Sequence, residues 1–300
     1  MDTLIPTTNA ADSMDNQAGA IVKLGRRRTA LTGSDMTTLH LLAEHKFLTA
    51  QQVAKFIHTE TRQFKSSVRL ATLRLNRLYA LNLIALQAGQ VGGASHGAEP
   101  NIWHLARLGH DVLEKLRRIE TNESKKPFKA PRYTFAAHRM AINDTKLILK
   151  RIADTHEDVK LGEALIEEKG WRYYTNQAGV ATSLRPDMYA VTHRGQLKHH
   201  WFIEVDCNTE APVRIIAKCN MYLDYMACTI DSGDGWCCGQ FPAVLWVVPT
   251  IKRRDALKRH IAENFPDFPV GQPFIVVTPQ ELPGLIAEGK LGELREVSYE

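Results

Sequence analysis

Leu184 to Tyr225, LRPDMYAVTHRGQLKHHWFIEVDCNTEAPVRIIAKCNMYLDY, is the stretch that leaves this 300-residue chain the fewest ways to fold. Met188 to Thr192 has the β-branched and aromatic bias of a strand. His193-Arg194-Gly195-Gln196 has the composition of a tight turn, and Trp201 to Val205 is apolar enough for a buried strand, so a hairpin is the simplest arrangement. Asp187 then opens the first strand, while Glu204 and Asp206, two residues apart, point to one face at the end of the second. Three carboxylates converge in that arrangement. From Val213 the pattern turns helical, and Lys218, Tyr222 and Tyr225 at i, i+4 and i+7 share one side of the helix, from which Lys218 can lean back over the carboxylates.

Oxygen ligands suit a hard cation such as Mg2+ or Mn2+, and a nearby ammonium stabilises charge developing on a phosphate or positions a water. That is the chemistry of phosphodiester cleavage. On this reading Asp187, Glu204 and Asp206 are metal ligands, and Asp187, Glu204 and Lys218 form the catalytic set. The plainer alternative is that acids at strand ends cap turns or helices and that a helix lysine faces water. Asp206 can be a ligand, or a cap for the segment after Pro212.

Length calls for about two domains, and a hydrophobic fraction of 44% with 24% charged residues is ordinary for a globular protein. No apolar run approaches the roughly 18 residues that span a membrane, and the N-terminus lacks the order of a signal peptide, so a cytoplasmic protein without a membrane segment is expected. The five cysteines, Cys207, Cys219, Cys228, Cys237 and Cys238, fit neither a disulfide framework nor a zinc template and read as free thiols. No phosphate-binding or dinucleotide-binding glycine motif is present.

The net charge of +5 is uneven: residues 1–132 hold 19 Lys and Arg against 11 Asp and Glu, and residues 133–300 hold 19 against 22. The cationic surplus that holds phosphates therefore belongs to the N-terminal half. Residues 1–33 read as a flexible basic tail, with Lys23 and Arg26 to Arg28 either solubilising the chain or adding phosphate contacts. Ser34 is a candidate N-cap for a helix to about His45, and T-x-x-Q at Thr49 and Gln52 starts a second. From Arg62 to about Leu81 the stripe Phe64, Val68, Ala71, Leu75 and Leu78 marks a longer helix. Arg62, Lys65 and Arg69 lie opposite that stripe, Arg74 and Arg77 flank that face, and no acid interrupts Arg62 to Arg77.

Two strands, Leu83 to Gln87 and Ile102 to Leu105, then enclose a Gly/Ser-rich stretch, and a helix over Gly109 to Ile119 follows. This order resembles the winged helix-turn-helix domain, over residues 34–120, with Arg62, Lys65, Arg69, Arg74 and Arg77 as DNA-binding residues. Residues 121–132 read as a linker and 133–300 as the second domain. There a helix over about Phe135 to Ala153, strands at Ala243 to Val248 and Phe274 to Val277, and a helix over Arg253 to Asn264 complete the order α, β, β, β, α, β, α, β of a mixed sheet. Asp144, Glu163, Glu167 and Glu168 compete as an additional acid, and His193, His199 and His200 read as exposed turn residues.

Pro186-Asp187 followed by Glu204-Val205-Asp206 resembles the PD-(D/E)xK nuclease superfamily, in which an acid-x-lysine triplet lies on the second strand. Asp206 stands where that pattern has lysine, and Lys218 matches members that carry the lysine on the next helix. The RPD and IEVDCNTE elements with the trailing K-x3-Y-x2-Y, behind a DNA-binding module, resemble the replication-relaxation family of plasmid proteins over about Leu31 to Pro279. The resemblance implies an α/β (α+β) protein, a winged helix-turn-helix followed by a mixed-sheet restriction-endonuclease-like domain. It also implies a role in plasmid replication, mobilisation or DNA relaxation, with Asp187, Glu204, Asp206 and Lys218 at the motif positions. Double-stranded DNA of a plasmid or other mobile element is the partner expected from it, and a homodimer is one assembly to test. Three functions follow: Mg2+- or Mn2+-dependent nicking, a non-catalytic accessory factor or regulator on a degenerate nuclease fold, and nicking by a tyrosine nucleophile at Tyr222 or Tyr225.

Overall fold

The computed structural model describes residues 19–24, 27–57, 64–87, 101–121, 127–129, 131, 136–230, 241–267 and 273–288. Arg62, Cys237, Cys238, the Gly/Ser-rich stretch between the two N-terminal strands and most of the 121–132 segment lie outside the described residues. The chain divides into two compact units, Met1–Asn143 and Asp144–Glu300.

The first unit opens with an antiparallel hairpin of β1 (Ala20–Leu24) and β2 (Arg27–Leu31). This corrects the flexible tail expected up to residue 33. Val22 and Leu31 are buried while Ile21, Lys23, Arg28 and Ala30 face out, an alternation only a few residues long that the basic cluster hides.

Helix α1 (Gly33–His45) is capped by Thr32, not Ser34: Asp35 N donates to Thr32 Oγ1 at 3.1 Å and Thr32 N donates to Asp35 Oδ2 at 2.8 Å. The predicted Thr49–Gln52 capping box is present, with both reciprocal bonds at 3.1 Å, and joins β3 (Leu48–Thr49) to α2 (Ala50–Ile57). Then come α3 (Phe64–Ala80), β4 (Ile84–Gln87), β5 (Ile102–Leu105) and α4 (Arg107–Thr121), the strands forming an antiparallel sheet in the order β3-β5-β4. Gly109 is required where α4 meets this sheet, since a Cβ there would lie 2.1 Å from the Leu83 carbonyl oxygen. Helix α3 buries Ser67, Ala71, Leu75 and Leu78, whereas Phe64, expected to begin the stripe, is exposed at the helix start.

Helix α5 (Ala136–Thr155) spans the division between the units. Ala136 and Met140 pack with Phe47 and Ile102, and Gln52 Nε2 donates to the Met140 carbonyl at 3.3 Å. Asn143 is fully buried; its Nδ2 donates to the Phe47 carbonyl at 2.8 Å and its Oδ1 lies 2.7 Å from His45 Nδ1. The first unit thus extends past the 121–132 segment into α5. Asp144, next in sequence, is exposed.

The second unit contains β6 (Val159–Ile166), β7 (Arg172–Thr175), β8 (Ala181–Leu184), β9 (Met188–Arg194), β10 (Leu197–Val205), α6 (Pro212–Thr229), β11 (Ala243–Val247), α7 (Ile251–Asn264), β12 (Phe274–Val277) and α8 (Leu282–Glu288). Its mixed sheet has the order β12-β11-β10-β9-β6, antiparallel across β6, β9 and β10 and parallel across β10, β11 and β12. The expected order is followed by α5, β6, β9, β10, α6, β11, α7 and β12, with the β7–β8 hairpin inserted before β9. Leu197 pairs with Arg194 across a two-residue turn, and Gly195 at φ 57° takes the left-handed position that a type II′ turn puts first.

Tyr189, Phe202, Val244, Trp246, Phe274 and Val276 of the sheet pack with Ile215, Cys219, Tyr222 and Tyr225 of α6 and Leu257 and Ile261 of α7. The two helices touch, as right-handed crossovers on one face require. His193, His199 and His200, expected in an exposed turn, are instead half-buried strand residues. His200 Nδ1 lies 2.5 Å from Tyr189 Oη, and burial followed by the Lys198 charge lowers its pKa to about 4.

Asn143 is the amide on which the α5 junction turns. Asn143→Ala should lower stability by about 1–3 kcal/mol, because it leaves the buried Phe47 carbonyl and His45 ring without this partner. Urea midpoints read the effect; a change under about 0.5 kcal/mol would mean the junction does not depend on this side chain.

Candidate functional site

The candidate site lies at the end of β10. Met188 pairs with Ile203 across the β9–β10 ladder, so Asp187, one residue earlier, stands opposite Glu204, one residue later. Asp187 is half-buried and its Oδ2 accepts a hydrogen bond from Val205 N at 2.9 Å. On the other side of β10, Glu204 pairs with Trp246 of β11. The strand period turns Glu204 inward onto α6, where its side chain is fully buried.

Helix α6 supplies what that carboxylate lacks. Tyr222 Oη donates to Glu204 Oε1 at 2.5 Å, and Lys218 Nζ donates to Oε2 in an ion pair. Lys218 and Tyr222 are i and i+4, so one helix face delivers both donors. Burial pushes the Glu204 carboxyl up to about 8 against the pull of Lys218, and the neighbouring Asp187 charge adds to the rise. Burial opposes the charge on Lys218, yet Glu204 and Asp187 together hold its pKa above the usual lysine value. The Tyr222 hydroxyl is also raised, first by burial and then by Glu204.

Asp206 continues the same face two residues on, but another helix holds it. Its Oδ2 accepts from Arg253 Nε at 2.6 Å and its Oδ1 from Asn208 N at 2.9 Å, while Arg253 Nη2 also donates to the Glu210 carbonyl at 2.8 Å. Parallel pairing accounts for the meeting, since Asp206 N bonds to the Val247 carbonyl and α7 begins just past the end of β11. Asp206 does not cap the helix after Pro212; Ala211 is that N-cap, with no side-chain bond. Nothing in the spacing announced Arg253, which lies 47 residues away.

A divalent cation needs several oxygen lone pairs aimed at one point. Glu204 gives one oxygen to Lys218 and one to Tyr222, and Asp206 gives one to Arg253 and one to Asn208. Among the described residues no three His, Cys, Asp or Glu side chains are gathered to hold a metal ion. The positive charge that faces the Glu204 and Asp206 carboxylates is supplied by the Lys218 ammonium and the Arg253 guanidinium. Asp187, Glu204 and Lys218 are brought together; Asp206 is held apart from them. Tyr222 and Tyr225 are core residues.

In the first unit, Lys65 and Arg69 of α3 are exposed. Arg77 is exposed as well, but the protein engages its head group. The Arg77 guanidinium pairs with the buried Asp35 and donates to the Ala30 carbonyl at 2.8 Å. Arg74 is half-buried, and its pKa is lowered by burial against the pull of Asp35. Of the five-residue set in the sequence, Lys65, Arg69 and Arg77 are exposed and Arg74 is half-buried, while Arg62 lies outside the described residues.

No curated protein and no solved structure matches the chain. The replication-relaxation family model matches residues 39–235, a span narrower at both ends than the resemblance, which includes Asp187, Glu204, Asp206 and Lys218 but stops short of Arg253. That match runs from within α1 through α4 of the first unit and takes in the β9, β10 and α6 core of the second, so this chain belongs to the replication-relaxation family.

Proposed function

We propose that the protein is a non-catalytic duplex-DNA-binding factor of plasmid replication or mobilisation, which holds DNA through its first unit and keeps the carboxylate set of its second as an internal latch. The engagement of both Glu204 oxygens by Lys218 and Tyr222 carries this conclusion, since a cation entering there would have to compete with an ammonium and a hydroxyl already bonded to the buried carboxylate. Family membership supports the plasmid setting. The helices α1 to α4, a small antiparallel sheet and an α3 surface bearing Lys65 and Arg69 support a winged-helix grip on phosphates.

One observation favours the rival, metal-dependent nicking: Asp187 stands opposite Glu204 beside an ammonium, the residue types such cleavage uses. The two readings separate on supercoiled plasmid. The full chain should shift duplex DNA yet leave supercoiled plasmid intact with Mg2+ or Mn2+. Open-circle product that disappears in Glu204→Ala and Lys218→Ala would overturn the non-catalytic reading. Millimolar Mg2+ or Mn2+ should likewise leave the thermal midpoint in place, whereas a real site would stabilise by roughly 2.7 kcal/mol at a hundredfold excess over its dissociation constant.

Lys65→Glu with Arg69→Glu should weaken DNA binding and flatten the dependence of log K on log salt by about 0.9 for every phosphate that is no longer neutralised. Unchanged affinity and slope would remove α3 from the interface.

Proton linkage tests the latch. The Glu204 carboxyl has its folded pKa raised to about 8 from an ordinary 4.5, so between those values the folded protein keeps a proton that the unfolded chain releases. Stability from this group is fully present below about pH 4.5 and is lost as pH rises through about 8. Glu204→Gln should flatten that slope of the urea midpoint against pH; a parent and variant with parallel profiles would show that Glu204 is not the titrating group.

A further inference from the structure

We infer that the β1–β2 hairpin is a second DNA-contacting element, an arm whose outward face takes duplex phosphates. The inference rests on the DNA-binding reading and adds to it a surface outside the helix-turn-helix and outside the 39–235 family match. Its starting point is a cross-strand pair. Lys23 lies directly opposite Arg28 in the β1–β2 register, and both are exposed. Two like charges opposite one another on an antiparallel ladder, with Cβ atoms about 5 Å apart, destabilise the hairpin that carries them. Among the described residues neither cation meets a carboxylate. A polyanion is the partner that turns this repulsion into binding, and a phosphate backbone presents its charges at a spacing that two adjacent cations can share.

The hairpin is also held, not merely tethered. Val22 and Leu31 bury its inner face, and Arg77 donates to the Ala30 carbonyl while pairing with the buried Asp35 of α1. A cationic arm fixed to α3 loses little conformational freedom on meeting DNA, and preorganisation of this kind raises affinity. It also accounts for Arg77, an exposed helix arginine whose guanidinium reaches the Ala30 carbonyl of the strand.

Charge reversal on one side separates the arm from a merely structural hairpin. Lys23→Glu places an acid opposite Arg28, so it should leave the thermal midpoint of the full chain unchanged or raised while weakening duplex binding. Fluorescence anisotropy of a labelled duplex across a salt series reads the second effect. Lys23→Gln with Arg28→Gln should reduce the slope of log K against log salt by about 0.9 for each phosphate the arm ceases to neutralise, up to about 1.8. If these variants keep the parent's affinity and slope while Lys65→Glu with Arg69→Glu loses both, the arm is wrong and the helix reading stands. A parent that binds no duplex at low salt would overturn both.

Discussion

A carboxylate with no access to water is the constraint around which the second unit is arranged. Taking Glu204 out of solvent costs several kcal/mol unless its charge is matched and its oxygens are bonded. The answer comes from one helix face, and it fixes where that face must be. Lys218 and Tyr222 reach Glu204 only if α6 lies across β10 at a single rotation and a single height, which also brings Ile215, Cys219 and Tyr225 onto Phe202 and Trp246. An apolar residue at position 204 would tolerate several placements of α6. The buried pair selects one, at a cost in desolvation that packing around it must offset.

Asp206 repeats the device one helix further on. Because β10 and β11 run parallel, the end of one strand lies beside the start of the helix that follows the other, and Arg253 closes the gap. The same guanidinium holds the Glu210 carbonyl, so the loop between β10 and α6 is pinned at both Asp206 and Glu210. Two acids two residues apart are thus clasped by two different helices. Motif spacing brings them to one face; the crossover topology gives each a different cationic partner.

What could be read from the sequence was whatever depends on local period. The β9–β10 hairpin, the α6 face with Lys218 and Tyr222, the Thr49–Gln52 capping box and the terminal strand β12 all follow from patterns confined to a few residues. The β1–β2 hairpin did not stand out, because its apolar side is small and a run of arginines dominates the segment. Residue types at the candidate site were legible and their state was not. Whether Glu204 is a ligand or a latch depends on which atoms touch it, and Arg253 and Arg77 enter through hydrogen bonds to residues 47 and 42 positions away that no spacing rule encodes.

The two units also place their charges in opposite regimes of screening. Lys23, Arg28, Lys65 and Arg69 lie on the surface of the first, where added salt shortens the reach of their charges. Glu204 and Asp206 are shut inside the second, where water and ions do not penetrate and a bonded pair is nearly indifferent to ionic strength. Salt therefore acts on these exposed cations without loosening the buried bonds. The exposed cations of the first unit thus respond to ionic strength on a scale that the buried carboxyl groups of the second do not feel.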